Sequence, residues 1–183
     1  PRLFEEFKRF ITRANTLTQL QEISSTTKEW EQLANTQTSF LPTRDDYSGI
    51  PKLNIATYFR PLVNVSGDYY SVLPVTENKT LLMLGDVSGK GLPAALIMGL
   101  VMNTVKIVEN KEDLVVIVKT VDKAIKGMHL QDKYTVLFLG IVDTDKMKIT
   151  YVNCSMSDPI VLSRSPDGYR IKSLESSAGV VGI

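Results

Sequence analysis

At 183 residues, 43% hydrophobic and 22% charged, the chain has the size and composition of one globular domain with an appended element. Lys and Arg number 21 against 20 Asp and Glu, a formal charge of +1 that gives no electrostatic case for nucleic acid or an anionic membrane. The single cysteine, Cys154, excludes an internal disulfide and favours a reducing, cytoplasmic setting.

The start, Pro1-Arg2-Leu3-Phe4-Glu5-Glu6, has neither the basic region nor the apolar run of a signal peptide. It also begins without methionine, so a piece of a longer protein is expected. Residues 1–41 read as a helical linker rich in Gln, Glu, Lys and Thr. Phe4, Phe7, Ile11 and Ala14 follow helical spacing, and Trp30, Leu33, Gln37 and Phe40 resume it. Between them the register drifts through Leu17, Leu20 and Ile23, which weakens the case for a continuous coiled coil. One or two helices are expected, packed on a partner chain or on the domain's own flank.

Pro42 and the run 45–51 punctuate the chain, and residues 42–183 are assigned to the main domain. Ile55, Thr57 and Phe59 alternate with Asn54, Ala56 and Tyr58 in a strand-like pattern, and residues 69–73 continue in strand composition. Glu77-Asn78-Lys79 predicts a turn before the continuous apolar strand 81–84, which suits burial on both faces. Gly85-Asp86-Val87-Ser88-Gly89-Lys90-Gly91 then leads into a helix over 92–109, with Pro93 in its first turn. The apolar stretch 92–108 is interrupted by Asn103 and Lys106 and is short of the ~20 residues of a membrane span, so a buried helix is expected. A second helix over 112–128 takes its buried face from Val115, Val118, Thr120, Val121, Ala124 and Ile125. Strands follow at 134–142, 148–152, 160–164 and 169–174, with turns at 143–146 and 166–168. Strands, a helix pair and strands again predict an α+β sandwich with helices covering a mainly antiparallel sheet.

The distinctive chemistry lies in Val65-Ser66-Gly67-Asp68-Tyr69-Tyr70 and in the loop containing Asp86. Each puts an aspartate directly after a glycine at a predicted strand end. A hairpin turning near Glu77-Asn78 brings Asp68 and Asp86 together, since the turn lies midway between them. Two facing carboxylates repel, and one must hold a proton or recruit a cation. Carboxylate and carbonyl oxygens suit Mg²⁺ or Mn²⁺, and a pair of such ions about 3.5–4 Å apart can activate water and clamp a phosphoryl group. Gly85, Gly89 and Gly91 would allow tight turns and close approach to a ligand. A Gly-Asp pair at a strand end is, alone, often only a turn.

The remaining candidates are weaker. His129, the only histidine, reads as a solvated helix end rather than a general acid. Cys154 has no helix N-terminus to lower its pKa. Lys90 lacks the spacing of a nucleotide-binding loop, and Ser88 has no recognisable histidine partner.

Several motifs together resemble the sporulation-protein-E-like branch of the metal-dependent serine/threonine phosphatases, the protein phosphatase 2C (PPM) superfamily. They are Gln37-Thr38-Ser39-Phe40-Leu41-Pro42, Tyr58-Phe59-Arg60-Pro61, Gly67-Asp68-Tyr69-Tyr70, the run from Gly85 to Leu96, and Tyr134-Thr135-Val136-Leu137-Phe138. The resemblance covers about residues 37–183 and implies an α-β-β-α sandwich. It implies Asp68 as a ligand of one metal, Asp86 as the carboxylate bridging two Mn²⁺ or Mg²⁺ ions, and the Val87 carbonyl as a further ligand. Gly67, Gly85, Gly89 and Gly91 support these loops. The implied reaction is hydrolysis of phosphoserine or phosphothreonine by metal-activated water, on a phosphorylated regulatory protein such as an anti-anti-sigma factor. The linker helices imply coupling to an upstream sensor and a homodimer.

Two departures stand out. Where the family carries an Asn-Ala-Gly-His-x-Pro-like turn, this chain has Asn153-Cys154-Ser155-Met156-Ser157-Asp158-Pro159. The sequence also reaches Ile183 without the family's Tyr-Thr-Asp-Gly segment and last aspartate, and Asp143, Asp145 and Asp158 stand in the wrong context to replace them. Weak metal binding and little activity are therefore expected of residues 1–183 alone. A non-catalytic binding module is the competing expectation.

Overall fold

The computed structural model describes residues 2–61 and 64–183, excluding the side chains of residues 2–7, 9–11 and 14. The stripe expected at Phe4, Phe7, Ile11 and Ala14 lies outside the described side chains. The linker is one helix, α1 (Arg2–Thr38), followed by the short α2 (Arg44–Tyr47). Sequence patterning read α2 as loop. Its capping box joins Thr43 to Asp46, whose carboxylate accepts the Thr43 backbone N–H at 2.6 Å.

Strands β1 (Asp68–Thr76), β2 (Lys79–Val87), β3 (Thr135–Asp143) and β4 (Lys148–Cys154) form an antiparallel sheet in that order. Between β2 and β3 the chain makes the helix pair α3 (Leu92–Ile107) and α4 (Leu114–Lys126). A separate two-stranded ribbon, β5 (Ile160–Ser165) with β6 (Gly168–Ser173), follows. The strand-like alternation at 54–59 forms no strand. β1 takes its ladder from β2 alone, and Tyr58 is 83% exposed, so this segment has composition for a sheet but no paired neighbour.

Alternation along the strands sends one face to the helices. Tyr69, Leu81, Met83, Val87, Leu137, Leu139, Ile141 and Cys154 from that face join Ile97, Met98, Val101 and Met102 of α3 and Ile117, Val121 and Ile125 of α4 in one core. The buried stripe of α4 is Leu114, Ile117, Val121 and Ile125, with Val115 left 53% exposed. The expected face is met at Val121 and Ile125 and at the partly buried Val118, while Leu114 and Ile117 stand in place of Val115 in the first turns. Asp113 is the N-cap, accepting the Val116 backbone N–H at 3.0 Å.

One glycine is required by this packing. A Cβ on Gly85 would lie 2.3 Å from Cζ and Oη of Tyr69, the residue paired with it across β1 and β2. Tyr69 is 1% exposed, and burial raises its hydroxyl pKa well above the ordinary range. The hydroxyl lies 2.8 Å from Thr135 Oγ1, which donates to the Asp86 carbonyl at 2.9 Å. Gly85→Ala therefore destabilises the fold by at least about 1–3 kcal/mol, because the ring has no free space to enter. Tyr69→Phe costs about 1 kcal/mol through the lost hydrogen bond. Denaturant unfolding that ranks the two the other way contradicts this packing.

Candidate metal centre

Asp68 is the first residue of β1 and Asp86 the penultimate residue of β2, and the antiparallel register pairs them directly. Residues so placed carry their Cβ atoms about 4.5–5.5 Å apart on one face of the sheet. That face is opposite the helices, and both side chains are exposed. Continuing the turn at Glu77-Asn78 through the ladder gives the pairing, despite a register shift between Pro74 and Thr76.

The loops are held from below and from the side. Val87 N–H donates to Gly67 O at 3.2 Å, joining the two aspartate segments beyond the last ladder pair. A Cβ on Gly67 would meet Val87 O at 2.7 Å and Asp86 Oδ1 at 3.1 Å, so only glycine lets these oxygens approach. Ser66 Oγ donates to Asp68 Oδ2 and accepts the Asp68 backbone N–H, both at 3.1 Å. Beyond Asp86, Ser88 exchanges bonds with Tyr134: its N–H donates to Tyr134 O at 2.8 Å, and its Oγ accepts the Tyr134 N–H at 3.0 Å. Lys133 Nζ donates to Ser88 O at 3.3 Å. Gly89 and Gly91, at φ 90° and 73°, turn the chain into α3 through conformations that favour glycine.

A cavity of about 640 Å³ opens over the pair. Asp68, Asp86, Gly67, Gly89 and Gly91 line it, together with Trp30, Arg60, Asn64, Val65, Ser66 and Lys90. Gly85 does not line it; its place is under the Tyr69 ring. Trp30 is the member that sequence patterning assigned to a helical stripe. It sits two turns before Gln37 on the same side of α1, a relation visible as an i, i+7 pair once the helix is continuous. Arg60, Asn64 and Lys90 carried no signal of this role beyond their nearness to the glycine-aspartate motifs.

Burial and then the charge of Asp68 raise the Asp86 carboxyl above its ordinary pKa of 3.8. Two facing carboxylates, with the Val87 carbonyl close to Gly67, make an oxygen-only donor set that fits a hard divalent cation. Among the described residues no group of three or more His, Cys, Asp or Glu gathers to hold a metal. Asp143 lies at the opposite end of the sheet, paired with Lys79. Asp158 faces Asn153 and Ser173 instead. His129 is exposed past the end of α4, and the Cys154 thiol is buried with its pKa pushed up by desolvation, so neither joins the site.

Asp86 carries its cost in the charged form. A carboxyl whose folded pKa is raised loses stability as pH rises through that pKa, and bears no penalty once protonated in both states. Asp86→Asn in metal-free protein therefore raises the melting temperature at pH 7 by about 1 °C, a small effect because the group is solvent-screened. The gain fades as pH falls toward 3.8. Calorimetric scans at pH 7 and pH 4 that show the same difference count against a raised Asp86 carboxyl.

Protein IcfG of Synechocystis sp. is 22% identical over 181 aligned positions, covering 84% of this chain and 28% of that protein. The SiaA-PP2C domain of Pseudomonas aeruginosa superposes with TM-score 0.69 at 17% identity, over 87% of this chain and 63% of the other. The structure of the PP2C phosphatase domain and a fragment of the regulatory domain of SpoIIE from Bacillus subtilis matches with TM-score 0.52 at 22% identity, over 65% and 34%. These likenesses establish the α+β fold with its antiparallel sheets and helix pair, and the chain spans less than two thirds of each of these relatives. Residues 76–183, more than half of the chain, match the family of Stage II sporulation protein E (SpoIIE), and the chain belongs to that family.

Proposed function

We propose that this chain belongs to a metal-dependent phosphoserine/phosphothreonine protein phosphatase of bacterial signalling. The observation that carries this reading is the direct pairing of Asp68 with Asp86 at a cavity of about 640 Å³ in a SpoIIE-family chain. Asp68, Asp86 and the Val87 carbonyl are the ligands this chain would offer to Mn²⁺ or Mg²⁺, two ions on this reading. When bound, such ions supply Lewis-acid activation of water and neutralise phosphoryl charge. The residues around them orient and enclose. Thr135 fixes the Asp86 carbonyl from the core, Ser66 fixes the Asp68 carboxylate, and Arg60 and Lys90 offer positive charge to an anionic side chain entering the cavity.

The substrate on this reading is a phosphorylated regulatory protein such as an anti-anti-sigma factor, and nucleic acid has no part. Residues 42–183 carry the phosphatase domain and 1–41 the linker, in the cytoplasm, within an α-β-β-α sandwich. No described helix is long and apolar enough to cross a membrane. The competing reading, a binding module without turnover, draws on the small donor set: two paired carboxylates and one carbonyl among the described residues.

The intact protein is expected to release phosphate from a phosphoserine protein only with Mn²⁺ or Mg²⁺. Asp86→Asn and Asp68→Ala each lower that rate at least about 100-fold, beyond the loss typical of a residue that merely supports a metal site. Partner binding without metal-stimulated turnover selects the binding module instead.

The linker supports a homodimer. Leu17, Leu20 and Ile23 of α1 are 61%, 57% and 63% exposed, apolar surface that a second copy of the helix would cover. Ile23→Asp is expected to shift the sedimentation coefficient toward monomer while leaving the fold's circular dichroism unchanged. A wild-type monomer across the micromolar range would reject the dimer.

A further inference from the structure

The last turn of α1 reaches the carboxylate site through one side chain. Gln37 is 4% exposed, and it grips the backbone of Ser66 at both polar atoms: Nε2 donates to Ser66 O at 2.7 Å, and Oε1 accepts the Ser66 N–H at 2.8 Å. Ser66 then passes the constraint on, since its Oγ bonds both the carboxylate and the backbone N–H of Asp68. No other described hydrogen bond holds the Ser66 main chain, and residues 64–67 belong to no strand. The segment that aims Asp68 thus takes part of its order from a helix outside the sheet, beside the Val87 N–H bond to Gly67 O.

The asymmetry with Asp86 is the second observation. Asp86 stands on a strand flanked on both edges and has its carbonyl bound by Thr135 from inside the core. Asp68 opens an edge strand. Two turns before Gln37, Trp30 lines the same cavity, and at the other side of the helix end Phe40 packs against Gly99 of α3. A bidentate amide is a geometric device: it fixes both position and rotation of the peptide it holds, where a single bond would leave a pivot.

We propose that Gln37 is a positioning residue that sets Asp68 opposite Asp86 by fixing the Ser66 peptide. The proposal rests on the metal-centre reading above, but its test does not depend on turnover. With Ser66 clamped, the Asp68 oxygens are preorganised for a cation.

The test uses the intact protein and Gln37→Met, which keeps length, volume and helix preference while removing both hydrogen bonds. Gln32→Ala, at an exposed position on the same helix, is the control. Three quantities are read: Mn²⁺ affinity by electron paramagnetic resonance titration, amide exchange of residues 64–68, and phosphate release. Gln37→Met is expected to weaken Mn²⁺ binding about tenfold or more, as removal of a ligand-orienting partner does. Exchange of the Ser66 amide rises, and exchange in β2 and β3 stays unchanged. Where turnover is present, kcat falls with KM within about twofold, because Gln37 touches Asp68's support and not the substrate.

Wild-type Mn²⁺ affinity and Ser66 protection in a folded Gln37→Met variant overturn the positioning role. If Gln37→Met fails to fold, Gln37→Glu serves instead: it keeps the acceptor for Ser66 N–H and loses the donor to Ser66 O, and undiminished Mn²⁺ affinity there is equally fatal. Weakened Mn²⁺ binding in a protein with no phosphatase activity upholds the positioning role and rejects the catalytic reading. Turnover that is abolished by Asp86→Asn but unchanged by Gln37→Met does the reverse.

Discussion

Everything about the site depends on the register between β1 and β2. Side chains alternate across a strand, so a slip of one residue would send Asp68 or Asp86 into the helix-facing core and turn Tyr69 or Val87 outward. The core forbids that slip. Tyr69, Leu81, Met83 and Val87 are buried on one face of these strands, and β3 locks the far edge of β2 by pairing Asp86 with Val136 and Val87 with Thr135. Like charges facing each other oppose this register, and the hydrophobic face enforces it. The backbone register thereby keeps the two carboxylates facing, and their repulsion becomes a preference for positive charge at one defined place.

The two carboxylates are not equivalent in their support. Asp86 belongs to the core, tied through Thr135 to Tyr69 and through Ser88 to the segment before β3. Asp68 belongs to the surface, where the sheet ends and the linker helix takes over. The glycines divide in the same way. Gly85 serves the interior, by making room for a ring, and Gly67 serves the site, by letting oxygens meet.

Much of this was legible in the residues. Strong local signals were read directly: the continuous apolar strand at 81–84, the proline at the head of α3, and the midpoint of the two aspartates at a turn. What failed was decided by tertiary context. The alternation at 54–59 has strand composition but no partner to pair with, and pairing is not written in a single segment. Only the first turns of α4 were misjudged, because Val115 is as apolar as Ile117 and packing against the sheet and α3 chooses between them. α2 is one turn long, below what periodicity can resolve. Trp30 lies 38 positions from Asp68, and only the straightness of α1 brings it to the cavity.

The ribbon of β5 and β6 meets the rest of the molecule through its root. Leu174 N–H closes the base on Pro159 O at 2.8 Å, and the buried amide of Asn153 binds the carbonyls of Leu174 and Met156 while its oxygen takes the Met156 N–H. Outward of that root, Ile160, Leu162, Tyr169 and Ile171 are all more than half exposed. Lengthening or rewriting the tip at Pro166-Asp167-Gly168 disturbs no buried atom, whereas exchanging one amide at its base unthreads two strands' worth of backbone. The outer ribbon can therefore change in sequence without losing a buried contact, while Asn153 pins its base to the sheet.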